Sequence, residues 1–122
     1  MSDAFVLKGL GASPGRATGP LAFTAAAAID FAKKTTPAIL VCTEAGAEDG
    51  DGIRACAGLV TTRGGVTGDG AIMARALGKP CLTSCGAARV RQHDKLLEVD
   101  GVTLREGDVV TLDAARGELS AG

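Results

Sequence analysis

At 122 residues, with 46% hydrophobic and 22% charged residues, the chain has the size and composition of one globular core. A formal charge of −1 gives no basic footprint, and three phenylalanines without tyrosine or tryptophan give no stacking platform, which excludes nucleic acid and an anionic membrane surface as expected partners. The N-terminus has no basic segment followed by an apolar run and no stretch reaches the length of a membrane span, so the expected location is the cytoplasm.

In chain order, Leu21-Ala22-Phe23 ends a strand, and Thr24 caps a helix in which Ala25, Ala28, Ile29 and Ala32 recur at helical spacing. Lys33 and Lys34 suit the C-terminal end of that helix. Ala38-Ile39-Leu40-Val41-Cys42 is a short continuous apolar run, as in a buried strand, and Gly58-Leu59-Val60-Thr61 repeats that character. Between them, Glu44, Glu48 and Asp49 read as solvated or capping groups ahead of a short turn.

The stretch from Thr62 to Pro80 then delivers a glycine-rich loop into a helix that Asp69 or Thr67 caps and that Gly78 and Pro80 stop after Leu77. Pro80-Cys81-Leu82 reads as a further strand. The charged run Arg89-Val90-Arg91-Gln92-His93-Asp94-Lys95 reads as a solvated turn with an exposed His93. Leu96-Leu97-Glu98-Val99, Val102-Thr103-Leu104, Val109-Val110-Thr111-Leu112 and Gly117-Glu118-Leu119, separated by Gly-containing turns, are strands and hairpins. The pattern predicts an α/β fold, a mixed sheet with packed helices, in a single domain over residues 1–122, with the oligomeric state left open.

Four cysteines, Cys42, Cys56, Cys81 and Cys85, are expected to be reduced, with Cys42 and Cys56 packed as small apolar residues. Cys81 and Cys85 lack a matching second pair, and His93 is the sole histidine, so no metal and no cofactor are expected.

The chemistry concentrates in Arg63-Gly64-Gly65-Val66-Thr67-Gly68-Asp69-Gly70. Its glycines let backbone N–H groups approach a ligand, and the helix behind them offers unpaired donors and a positive dipole end, which suits a small anionic ligand. Asp69 sits where such a ligand goes, and Arg63 can clamp its charge. Arg75, near the helix end, reads as a structural complement to the dipole.

With Gly11-Ala12-Ser13-Pro14-Gly15 before this loop and Gly107-Asp108 through Leu112-Asp113 after it, the chain resembles the phosphohistidine domain of the phosphoenolpyruvate-utilising enzymes. This is a mobile, swivelling β/α/β domain, and the central domain of pyruvate phosphate dikinase is the member it is most similar to. In that family the loop reads Gly-Gly-Met-Thr-Ser-His-Ala, and the histidine ferries a phosphoryl group between distant active sites. Asp69 takes the place of that histidine here. The family's Glu-Thr-Ser-Pro-Glu-Asp segment is matched by Glu44-Ala45-Gly46-Ala47-Glu48-Asp49, while Gly58, Thr61, Arg63, Gly64, Gly65, Thr67, Ala71, Ala74, Arg75, Gly78 and Cys85 keep the family pattern. The resemblance runs over residues 7 to 120.

Neither the nucleotide-binding domain nor the phosphoenolpyruvate-binding barrel of those enzymes fits in 122 residues, so complete dikinase chemistry is not expected of this sequence. A carboxylate at the carrier position is a weaker nucleophile than imidazole, and phosphoaspartate chemistry calls for a divalent cation. The leading expectation is therefore a stand-alone, degenerate swivelling domain that is not a phosphoryl carrier and that binds a small anionic ligand or a partner protein. Its ligand-binding residues would be Arg63, Gly64, Gly65, Thr67, Gly68, Gly70 and Cys85. One alternative reuses the cleft as an active site, with Asp69 as general acid or base. A second is a phosphotransfer component acting with separate partner proteins. In the plainest reading Asp69 is only a helix N-cap, worth about 1 kcal/mol.

Overall fold

The computed structural model describes residues 4–46, 49–63, 65, 68–86, 88–99 and 101–121. Strands β1 (Ala4–Lys8), β2 (Leu10–Ser13) and β3 (Arg16–Ala22) lead into helix α1 (Ala25–Lys34). Then come β4 (Ile39–Cys42), α2 (Gly50–Ala55), β5 (Gly58–Thr61), α3 (Asp69–Leu77) and β6 (Cys81–Thr83). Strands β7 (Arg89–Arg91), β8 (Leu96–Val99), β9 (Val102–Arg105), β10 (Val109–Asp113) and β11 (Glu118–Ala121) follow.

Strands β3, β4, β5 and β6 run parallel at the centre of an eight-stranded sheet ordered β1-β11-β10-β3-β4-β5-β6-β2, flanked on both sides by antiparallel pairings. This is the expected α/β mixed sheet with packed helices. Its two ends, β1 and β2, are consecutive in the chain with Gly9 alone between them, so the sheet curls until its edges meet. Gly9 is required at that seam, because a Cβ there would lie 2.5 Å from the Thr83 carbonyl oxygen and 2.6 Å from the Cys85 sulfur.

Strand alternation sorts the apolar residues into two cores. Leu21, Phe23, Ile39, Val41, Val60 and Leu82 point into the curl, where Leu97, Val99 and Leu104 of the three-stranded β7-β8-β9 sheet join them. Ala22, Leu40, Cys42, Leu59 and Cys81 point outward, under the helices. The outward set is small-sided, which lets helices α1 and α3 sit close through Ala28, Ala71 and Ala74.

Thr24 caps α1 as expected, its hydroxyl oxygen accepting from the Ala27 N–H at 3.1 Å. The packed face is rotated from the expected one: Ala28 is buried and Ala27 and Phe31 pack beside it, while Ala32 is exposed. The larger Phe31 ring decides that rotation, since it gains more by burial than Ala32 does. Helix α3 ends at Leu77 with Gly78 in the left-handed conformation (φ 70°), also as expected.

Three elements depart from the sequence reading. Helix α2 replaces the short turn expected near Asp49; its C-terminal end is held by the Lys79 ammonium, which donates to the carbonyls of Arg54 and Cys56. Residues 89–91 form the edge strand β7 rather than a turn, because Val90 alone points inward and its backbone pairs with Leu97. Strands β1 and β2, which no sequence pattern signalled, close the curl. None of the described helices is long and apolar enough to cross a membrane.

Candidate functional site

Parallel strands leave a crevice beyond their carboxyl ends where the chain departs for the next helix. Here the ends of β4, β5 and β6 and the first turn of α3 enclose a cleft of about 440 Å³. Asp69, Arg63, Gly65, Gly68 and Gly70, all singled out from the sequence, line it together. Gly64 and Thr67, predicted for the same site, lie outside the described residues.

Each of these positions has a local cause. Gly68 is the N-cap of α3, extended at φ −69° and ψ 162°, and its N–H donates to the Gly65 carbonyl oxygen at 3.0 Å. Asp69 is therefore the first helical residue, not the cap that the sequence suggested. No side chain caps this helix among the described residues, so its first-turn N–H groups face the cleft bare. Gly70 is needed for packing: a Cβ there would meet the Ala45 Cβ at 2.8 Å and the Leu59 Cδ2 at 3.0 Å, which would lift α3 off β5. Arg63 is exposed, and its backbone N–H donates to the Thr43 carbonyl oxygen at 2.8 Å.

Two cleft residues carry no sequence signal beyond a hydroxyl closing an apolar strand. Thr61 ends β5 and Thr83 ends β6, and both point to the helix side of the sheet. The Thr83 hydroxyl donates to the Leu10 carbonyl oxygen at 3.3 Å. Thr61 is only 4% exposed, and its hydroxyl makes no hydrogen bond to a described residue. No fully occluded side-chain oxygen or nitrogen lacks a partner among the described residues, so the Thr61 oxygen opens onto the cleft. Glu44, exposed, adds a second carboxylate to the lining beside Asp69.

Other predicted residues fall elsewhere. Cys85, expected to contact ligand, is completely buried in the inner core: its N–H reaches the Thr61 carbonyl oxygen at 3.4 Å while its thiol donates to the Thr83 carbonyl oxygen. Continued alternation of β6 would put Cys85 on the same side as Cys81 and Thr83, but Ser84 in the left-handed conformation (φ 57°) breaks the extended chain and turns Cys85 behind the cleft floor. Arg75 is structural, donating to the Ala12 carbonyl oxygen at 3.0 Å and tying α3 to β2. Asp49 closes the turn before α2 by accepting from the Gly46 N–H at 3.0 Å. Among the described residues no three His, Cys, Asp or Glu side chains converge to hold a metal ion.

All four cysteines are free and buried. Burial, first of all, pushes the thiols of Cys42, Cys81 and Cys85 up from 9.0 to about 12. They are packing groups, protonated at neutral pH, rather than nucleophiles. His93 is exposed in the turn between β7 and β8 and lines no part of the cleft.

Comparison with known proteins fits this geometry. A family model described as the PEP-utilising enzyme mobile domain matches residues 34–117. The pyruvate, phosphate dikinase of Rhizobium meliloti (strain 1021) is 44% identical over 114 residues, covering 93% of this chain and 13% of that protein. Pyruvate, phosphate dikinase 2 of Zea mays is 39% identical over 120 residues, covering 98% of this chain and 14% of that protein. The chain thus spans about one-eighth of the length of the curated relatives it matches. A solved structure of Thermococcus kodakaraensis aconitase X in its holo-form shares the fold, with a TM-score of 0.55 and 17% identity over 95% of this chain and 97% of that chain. With the family model matched over more than half of its residues, this chain belongs to the family of the PEP-utilising enzyme mobile domain.

Proposed function

We propose that this chain is a mobile-type domain that does not act as a phosphohistidine carrier, and that it binds a small anionic ligand, free or presented by a partner protein, in the cleft at the start of α3. One observation carries this reading. The chain has a single histidine, His93, and it sits in an exposed turn outside the cleft, whereas the cleft's first helical residue is Asp69. In this reading Asp69 occupies the position at which the family carries its histidine.

The donor and acceptor groups support a ligand with two kinds of chemistry. Arg63, the N–H groups of the α3 first turn and the Thr61 hydroxyl, the last two without a side-chain partner among the described residues, favour an anionic group. Asp69 and Glu44 favour hydrogen-bond donors on the same molecule. Gly64 and Thr67 complete the loop in this proposal. Four buried free thiols fit a reducing compartment, and we place the domain in the cytoplasm.

The test is intact-protein mass spectrometry after incubation with phosphoenolpyruvate-dependent and ATP-dependent phosphoryl donor systems, on wild type, Asp69→Ala and His93→Ala. No adduct is expected. A one-phosphate adduct lost in either variant would restore a carrier role and overturn the reading. Amide NMR titration with small hydroxy- and amino-carboxylates then checks the ligand, with shifts expected at Gly68, Asp69, Gly70 and Ala71.

A further inference from the structure

Beyond β4 and β5 the strand alternation continues for one more residue and builds a second cleft, on the side of the sheet that faces β7. Thr61 points to the helix side, but Thr43 and Thr62 line this other space of about 460 Å³, together with Arg63, Gly86, Ala88, Arg89 and Val90. The volume is ample for a small molecule.

Its polar lining is one-sided. Two arginines and two hydroxyls face it, and no carboxylate lines it among the described residues. Arg89 stands in register with Glu98, but the Glu98 carboxylate is engaged by Arg91, whose Nε lies 3.0 Å from its Oε1. Neither Arg63 nor Arg89 makes an ion pair with a described residue. Thr62 is 8% exposed, its hydroxyl makes no hydrogen bond to a described residue, and, by the argument applied to Thr61, its oxygen opens onto the cleft.

We infer that this second cleft is an anion site for a phosphate-bearing small molecule. A phosphomonoester dianion matches two positive charges, and its three oxygens can take the two guanidinium forks and the Thr62 hydroxyl at once. The site is separate from the proposed ligand site at α3, except that Arg63 lines both clefts. Ligands in the two clefts therefore compete for one guanidinium.

Titration of the full chain with inorganic phosphate, followed by amide NMR, tests the inference. Shifts are expected at Thr62, Gly86, Ala88 and Val90, with affinity lowered at least tenfold in Arg89→Ala and Arg63→Ala and several-fold in the near-isosteric Thr62→Val. Arg105→Ala removes an equal charge from an exposed position outside both clefts and is expected to leave binding unchanged. Shifts confined to residues 68–71 would overturn the second site while leaving the reading of the first intact. Equal losses in Arg105→Ala and Arg89→Ala would overturn it as diffuse charge attraction, and tighter binding of malonate than of phosphate would overturn the phosphate assignment.

Discussion

The two clefts share Arg63 and the ends of the same strands, yet they differ in charge. The first, on the helix side, sets Asp69 and Glu44 against Arg63 and a bare helix N-terminus. The second, on the β7 side, has Arg63 and Arg89 with no opposing carboxylate among the described residues. Parity separates the short side chains at the strand end: Thr61 and Thr62 are neighbours in sequence and line opposite clefts, whereas the longer Arg63 lines both. A side chain's neighbours in the chain thus say less about its site than its position in the sheet does.

The clefts also rest on different cores, and variants can separate them. Leu97→Ala removes a fully buried side chain of the inner core under β8. It should destabilise the protein by about 2–5 kcal/mol and loosen the wall that carries Arg89 and Val90. Chemical denaturation checks the first effect, and faster amide exchange at residues 88–91 than at residues 69–72 checks the second. Gly70→Val acts on the other cleft. Its Cβ would crowd Ala45, which cannot move without its backbone, and the cost should be about 1–3 kcal/mol despite better helix propensity than glycine. Amide shifts should cluster around α3 and spare Gly86 and Ala88.

Both cores respond to alkali through their thiols. Cys42 and Cys81 lie on the helix side and Cys85 on the inner side, each pushed from 9.0 to about 12 mainly by burial. Below pH 9 the folded and unfolded chains hold the same protons on these groups. Between pH 9 and 12 the unfolded chain gives up protons that the folded chain keeps, so stability should fall by about 1 kcal/mol per pH unit for each thiol, levelling off near 12. Denaturant midpoints across this range check it, and Cys85→Ala should flatten the slope by one thiol's share.

Most of the sheet was legible because apolar runs such as Leu40-Val41-Cys42 and Leu59-Val60 report burial directly, and the α3 stop was legible because Gly78 and Pro80 act locally. Helix α2 was not, since its six residues include two glycines and it is held by α1 and Lys79 rather than by propensity. Nor was β7, where a single inward Val90 between two arginines gives too short an alternation to read. In the site, the loop's composition pointed to Asp69, Arg63, Gly65, Gly68 and Gly70, but spacing carries no direction. Cys85 therefore looked like a contact although it faces the inner core, and Thr61 and Thr62 passed as strand-end residues.

The smallest effect should come from His93→Ala, and it bears on the comparison because His93 belongs to neither cleft. The residue is exposed in the turn at 92–95, where the backbone is held by the Lys95 N–H donating to the Gln92 carbonyl oxygen at 3.2 Å and by the Gln92 side chain donating to the Phe23 carbonyl oxygen at 2.9 Å. Neither bond uses the imidazole. A surface change away from caps, cores and ion pairs stays within about 0.5 kcal/mol, so thermal unfolding should not separate this variant from wild type. Its amide shifts should stay within the turn and leave Gly68, Gly70, Thr62 and Gly86 unmoved. A loss of phosphate binding in His93→Ala would instead tie the turn to the β7 cleft, and the site would then have to extend past Arg89 along the edge strand.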